Sequence, residues 1–260
     1  MNTNFDEIIE KYKNMPQVKS VAIGGSTSAK TFDNISDIDV YVFVEKDIPV
    51  SDREGLIQKY SDKYEVGEEY FGSGDEFLLK EDNIVMDMMY WNIIWFEDII
   101  NNVWIKHISS NGYTTAFLYT LSNFQIIYDT NDWLSNLQKS IKTEYPKELK
   151  ENIIHRNLML ISEKPFASYY EQIEKGINRN DIASINHRIA AFLASYFDII
   201  FAINELLHPG EKRLVQYAKN NCKILPKNFE ENINKLLAQP NSNTLNILDS
   251  IIENLKEILI

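Results

Sequence analysis

The sequence predicts an α+β fold: a mixed β-sheet with flanking helices, followed by an all-α helical bundle. Three observations carry this expectation. Short β-rich runs alternate with helical patterns as far as about residue 91. From about residue 131 no strand pattern recurs, and prolines and Asn/Gly clusters divide the chain into helices. The charge divides as well. Of the net −12, residues 1–145 hold 24 acids against 12 bases, and residues 146–260 hold 14 of each. Two units with different tasks are expected, bounded as 1–130 and 131–260.

The elements follow in order. Phe5, Ile8, Ile9 and Tyr12 recur at helical spacing, so residues 4–14 read as an amphipathic helix that Pro16 ends. Val18 to Ile23 is a short β-rich run stopped by Gly24-Gly25. Asp37 to Val44, DIDVYVFV, is the strongest strand signal in the chain. Residues 51–63 read as a helix. Strands are expected near 65–71, 76–80 and 84–91, with turns at Gly72-Ser73-Gly74 and Glu81-Asp82-Asn83. A helix follows over about 92–107. Helices are then expected over 131–142, 147–163, 165–177, 181–207, 210–221, 227–237 and 242–259. Asp181 is a good N-cap for the longest, which at 1.5 Å per residue would run about 40 Å.

Composition excludes several classes. Apolar residues make up 44% and charged residues 25%, enough apolar material to bury and so against disorder. No apolar run reaches the roughly 18 residues that span a bilayer, so no membrane association is expected. The opening MNTNFDEIIEKYK has no apolar h-region, so a secretory signal is not expected. The one cysteine, Cys222, cannot form an internal disulfide, and a reducing cytoplasm is the expected setting. An acidic surface repels phosphate backbones, so no nucleic-acid partner is expected. It suits a cationic substrate or divalent cations, or simply keeps the chain soluble.

The chemistry is concentrated in residues 24–40, GGSTSAKTFDNISDIDV. A strand delivers the chain to Gly24-Gly25-Ser26. Small residues there let backbone N–H groups approach a phosphate, and a helix N-terminus favours an anion. Asp37-Ile38-Asp39-Val40 opens the next strand, where residues i and i+2 share a face. Two close carboxylates repel unless a proton or a cation lies between them. Mg²⁺ uses one or two carboxylates plus substrate phosphates. Asp87 sits in an apolar run, Ile84 to Tyr90, where an unpaired carboxylate is costly. A metal shared with Asp37 and Asp39 would account for it, as would a bond to backbone or to an arginine. Singly, each feature is also an ordinary turn, a solvated strand edge or a satisfied core polar group.

Jointly, residues 18–90 resemble the nucleotidyltransferase domain of the DNA polymerase beta superfamily. That signature is an apolar residue, Gly, Gly or Ser, a spacer, then Asp-h-Asp/Glu-h. Here it reads Ile23-Gly24-Gly25-Ser26, then Asp37-Ile38-Asp39-Val40, with Asp87 as the third acid on a neighbouring strand. The resemblance implies catalytic and metal-binding roles for Asp37, Asp39 and Asp87. It implies two Mg²⁺ ions and ATP or another nucleoside triphosphate, bound with Gly24, Gly25, Ser26 and Ser36. A nucleoside monophosphate would pass to a hydroxyl, with release of pyrophosphate. A catalytic domain followed by a helical bundle is similar to small bacterial enzymes that adenylylate aminoglycosides or lincosamides. A small, cationic acceptor such as an aminoglycoside is therefore expected. A protein AMP-transferase, an RNA-extending enzyme and a nucleotide-binding regulator without catalysis are the alternatives. The oligomeric state stays open.

In the helical part, Lys212 and Arg213 could reach triphosphate oxygens or belong to a solvated helix start. Ser184, Arg188, Ala191, Ser195, Asp198, Ala202 and Glu205 form one stripe, read as the solvent face rather than a cleft lining. Asn204 falls on the apolar side and requires a partner. His107, His155 and His187 show no metal spacing. Trp91, Trp95, Trp104 and Trp133 are expected as core and interface where the two parts meet.

Overall fold

A computed structural model describes residues 3–24, 37–70, 72–80, 84–163, 166–238 and 243–259. The described chain divides into two compact units: residues 1–101 with 120–143, and residues 102–119 with 144–260. The chain thus passes between units near 101, 119 and 143, where the sequence suggests one crossing near 130.

The first unit is a six-stranded mixed sheet. Its strands are β1 (Val18–Ile23), β2 (Ile38–Val44), β3 (Tyr64–Glu68), β4 (Gly74–Leu78), β5 (Val85–Asn92) and β6 (Gln125–Asp129). Their order is β3-β4-β5-β2-β1-β6. β2 and β5 pair in parallel at the centre, and every other neighbour is antiparallel. β6 went unread in the sequence: its five residues follow directly on a helix, Ala116–Asn123, with no Gly or Pro between.

Alternation gives this sheet two different faces. One carries Val40, Val42, Val44, Met86 and Met88 and packs under Phe5, Ile8, Ile9 and Tyr12 of helix α1 (Thr3–Lys13). Leu56 and Ile57 of helix α2 (Val50–Ile57) complete this core. The other face carries Tyr41, Phe43 and Trp91, joined by Trp95, Phe96, Phe124 and Trp133 in one aromatic cluster. The ring centroids of Tyr41 lie 4.7 Å from those of both Trp91 and Phe124. Three of the four tryptophans therefore serve one unit. Trp104 belongs to the other, edge-on to Tyr145.

A polar network is buried in the first face. Arg53 Nη1 donates to Asp75 Oδ1 at 2.6 Å, and the Gly67 N–H donates to the same oxygen at 2.8 Å. The Tyr90 hydroxyl donates to Asp75 Oδ2 at 2.6 Å and lies 2.6 Å from the Tyr12 hydroxyl. The Arg53 guanidinium also sits 4.4 Å from the centre of the Tyr90 ring. Tyr90→Phe keeps the ring and removes the bond to the carboxylate. It should cost about 1.5–3 kcal/mol in denaturant unfolding, the usual worth of a hydrogen bond to a charged group. A loss below a few tenths would show that the relay does not stabilise this unit.

The second unit is helical: among its described residues no strand occurs. Its helices include α6 (Lys147–Leu158), α7 (Tyr169–Asn178), α8 (Ile182–Ile203), α9 (Leu214–Asn221), α10 (Phe229–Leu237) and α11 (Thr244–Glu257); α3 (Ile93–Ile100), α4 (Ala116–Asn123) and α5 (Trp133–Ser140) precede them in the chain. Asp181 accepts from the Ser184 N–H and caps α8 as expected. The helix stops at Ile203, four residues before the expected end, because Asn204 turns to other work. Asn204 donates to the carbonyls of Ile200 and Ile224 and accepts from the Ile224 N–H.

The solvent-face reading of the α8 stripe fails at its centre. Ser195, Asp198 and Ala202 are buried, since the helix is covered all round over its C-terminal half. Asp198 accepts from the Thr114 N–H at 3.1 Å, the Thr114 hydroxyl at 2.6 Å and Asn157 Nδ2 at 3.1 Å. Asn157 in turn accepts from the Gly112 N–H and donates to the Ser110 carbonyl. Gly112 has φ +84°, and a Cβ there would stand 2.9 Å from the backbone of Ala194. These contacts bind residues 110–114 to α6 and α8, which is why 102–119 fold with the second unit.

Candidate active site

The site is built where β2, β5 and β4 lie side by side. The parallel register sets Asp39 of β2 opposite Asp87 of β5. The antiparallel register sets Glu76 of β4 opposite Asp87 from the other side, and Glu65 of β3 opposite Glu76. Cross-strand partners share a face, so four carboxylates form one row across four adjacent strands. Asp37 is exposed, one residue before β2 begins.

The row is electrostatically strained at Asp87. Burial first, then the charges of Asp39, Glu76, Asp37 and Glu68, push its carboxyl up to about 6. Burial, then Asp39 and Asp87, hold the Tyr41 hydroxyl above its usual range. The structure thus brings together Asp39 and Asp87, with Asp37 within reach of their field. Gly25, Ser26 and Ser36 lie outside the described residues. Gly24 follows β1 directly and is buried, and its N–H donates to the Asp39 carbonyl at 2.9 Å.

Lys212 and Arg213 stand in the second unit, exposed, ahead of α9. The turn before them is anchored by His208, whose N–H donates to Thr115 Oγ1 at 2.8 Å and whose Nδ1 accepts from the Gly210 N–H at 3.2 Å. Tyr113 and Phe201 pack on its ring, and burial lowers its pKa to about 4, so the imidazole is neutral.

Hard oxygen donors with mutual repulsion fit Mg²⁺, which a carboxylate pair can hold together with phosphate oxygens. Among the described residues, no three such side chains close on one point. Glu76 is the acid that the sequence did not reveal. Its place beside Asp87 depends on the β4–β5 register, which a five-residue strand does not declare.

The family model described as a nucleotidyltransferase domain matches residues 5–109, which span the first five strands. This chain carries a nucleotidyltransferase domain. A second family model, a domain of unknown function, matches residues 112–214. No curated protein matches the sequence. Among solved structures, a nucleotidyltransferase-like protein from Exiguobacterium sibiricum is 11% identical, with a TM-score of 0.48, over 98% of this chain and 73% of that one. Spectinomycin adenyltransferase AAD(9) from Enterococcus faecialis, solved with ATP and spectinomycin, is 15% identical, with a TM-score of 0.30, over 97% of each chain. For this nucleotidyltransferase the chemistry class is nucleotidyl transfer. No helix among the described residues is long and apolar enough to cross a membrane.

Proposed function

We propose that this nucleotidyltransferase moves AMP from ATP to a hydroxyl of a small cationic acceptor, such as an aminoglycoside, with Mg²⁺. The observation that carries the reading is the opposition of Asp39 and Asp87 on adjacent parallel strands within the matched domain.

Asp37 and Asp39 would hold the metal, and Asp87 would share it. Bound there, a divalent cation would supply positive charge that offsets the negative charge developing on the phosphoryl oxygens. Asp87 would orient the acceptor hydroxyl and take its proton as the oxygen attacks the α-phosphorus, while the bond from that phosphorus to the β-phosphate oxygen breaks and pyrophosphate leaves. Gly24, Gly25, Ser26 and Ser36 are assigned to the triphosphate, and Lys212 and Arg213 to its outer oxygens. The acidic row continues past Asp87 into Glu76 and Glu65, which favours a cationic acceptor over a nucleic acid. The net charge of −12 acts in the same direction.

Pyrophosphate release with ATP, Mg²⁺ and a panel of acceptors tests this. Turnover is expected with polycationic small molecules and not with RNA or protein hydroxyls. Calorimetry should also show Mg²⁺ binding at least tenfold tighter when a non-hydrolysable ATP analogue is present. Equal, weak metal binding with and without the analogue would remove the shared-metal assignment.

A further inference from the structure

We propose that Asp75 is a positioning residue for the active site: bonded on the far face of the sheet, it aligns β3, β4 and β5 and so sets where Asp87 stands. The inference rests on the nucleotidyl-transfer reading above.

Asp75 precedes Glu76 on β4, so it points to the face opposite the carboxylate row. There it is buried and accepts from three elements. Arg53 Nη1 of α2 donates to Oδ1 at 2.6 Å, and the Gly67 N–H of β3 donates to the same oxygen at 2.8 Å. The Tyr90 hydroxyl of β5 donates to Oδ2 at 2.6 Å. Asp75 lies opposite Met88, which makes Tyr90 its diagonal neighbour, on the same strand as Asp87. That bond pins β5 lengthwise against β4.

The Gly67 bond does the same for β3. Val66 pairs with Asp75 and Glu68 with Gly74, so Gly67, at φ +78°, is the extra residue of a β-bulge. The bulge turns Glu68 away from the side of Val66 and onto the face of Asp87. These alignments work against repulsion. Glu76 stands directly opposite Asp87, and like charges so placed destabilise strand pairing. The charges of Glu76 and Glu68 both act on Asp87. Asp75 holds the three strands together from the other side. A displacement of about 1 Å in a reacting group can cost an enzyme about 100-fold, so this alignment bears on catalysis.

The full-length chain is titrated with Mn²⁺ beside a saturating non-hydrolysable ATP analogue, and melting and pyrophosphate release are followed alongside. Asp75→Asn keeps the volume but turns an amide donor toward groups that are themselves donors, and it should weaken Mn²⁺ by about tenfold. It should lower kcat more than it raises the KM of ATP. Tyr90→Phe should weaken Mn²⁺ about threefold, while Arg53→Lys, which keeps the cation, stays within about twofold. Because Asp75 acts through Asp87, Asp75→Asn should weaken Mn²⁺ by no more than about twofold in an Asp87→Asn background. A merely structural Asp75 would lower the melting temperature of Asp75→Asn and Tyr90→Phe and leave the Mn²⁺ affinity of the folded protein unchanged, and that result overturns the inference. Independent, multiplicative losses in Asp75→Asn/Asp87→Asn overturn it too. Should Asp75→Asn not fold, Tyr90→Phe decides alone, with Asp87 intact and with Asp87→Asn. If the wild-type chain binds Mn²⁺ with the analogue, either failure touches the inference alone. If the wild-type chain neither binds it nor releases pyrophosphate, the nucleotidyl-transfer reading fails and takes the inference with it.

Discussion

Asp87→Asn should lower kcat at least 100-fold while leaving the protein folded. The side chain stands between Asp39 and Glu76 in register, so the amide occupies the same space with no charge. A loss of 100-fold corresponds to roughly 3 kcal/mol of transition-state stabilisation, within the range of removing one electrostatic contributor. Stability should move the other way. The folded carboxyl is raised to about 6 from its ordinary value of 3.8. Its contribution is then fully present below about pH 4 and lost as pH rises through 6. Without metal at pH 7–8, Asp87→Asn should therefore gain about 1 kcal/mol after allowance for solvent screening, and gain nothing at pH 4. Part of the pH slope persists, because Asp198 is also raised to about 6. Steady-state turnover and denaturant melts on the same purified variant check both halves. A destabilised but active Asp87→Asn protein would sink the assignment.

Asp198→Ala should unfold the second unit more easily, by about 3–5 kcal/mol. Truncation leaves the Thr114 N–H, the Thr114 hydroxyl and an Asn157 amide hydrogen without their acceptor in a buried place. It also leaves a small cavity against α8. Asp198→Asn preserves volume but turns an amide donor toward groups that are themselves donors, so about 1–3 kcal/mol is expected. Burial already outweighs the three bonds, since the carboxyl is pushed up to about 6. Denaturant unfolding, with hydrogen exchange at Thr114 and Gly112, reads the effect. An Asp198→Ala protein within 1 kcal/mol of wild type, with protected amides at 110–115, would show that α8 does not anchor this segment.

Much of the local structure was legible because it is set by near neighbours. The 18–23 run is a strand from first residue to last, as read. The Asp37–Val44 signal gave β2 to within one residue, and the helices after 146 fall within a few residues of their expected ends. Period-2 and period-3.6 patterns, prolines and caps operate over a few residues, and they survive packing. The match of residues 5–109 to a nucleotidyltransferase domain agrees with the resemblance drawn from Gly24-Gly25-Ser26 and Asp37-Ile38-Asp39.

What the tertiary structure decided was register, partnership and sides. The sequence placed Asp39 and Asp87 on strands 48 residues apart, and pairing alone set them face to face with Glu76 beside them. The β1–β2 register lays the Tyr41 ring against Gly24, a contact between residues 17 positions apart in the chain. Asp198 read as surface because its stripe holds Ser184, Arg188 and Glu205, yet residues 110–114 cover its middle. The tryptophans expected as core and interface where the two parts meet belong to two units, with Trp133 joined to Phe43 and Trp104 to Tyr145. The common reason is range. Hydrophobic period and turn chemistry are written within a window of about a dozen residues. Strand register and the burial of a polar side chain are fixed by partners that lie tens of residues away, through many small contacts that no local window contains.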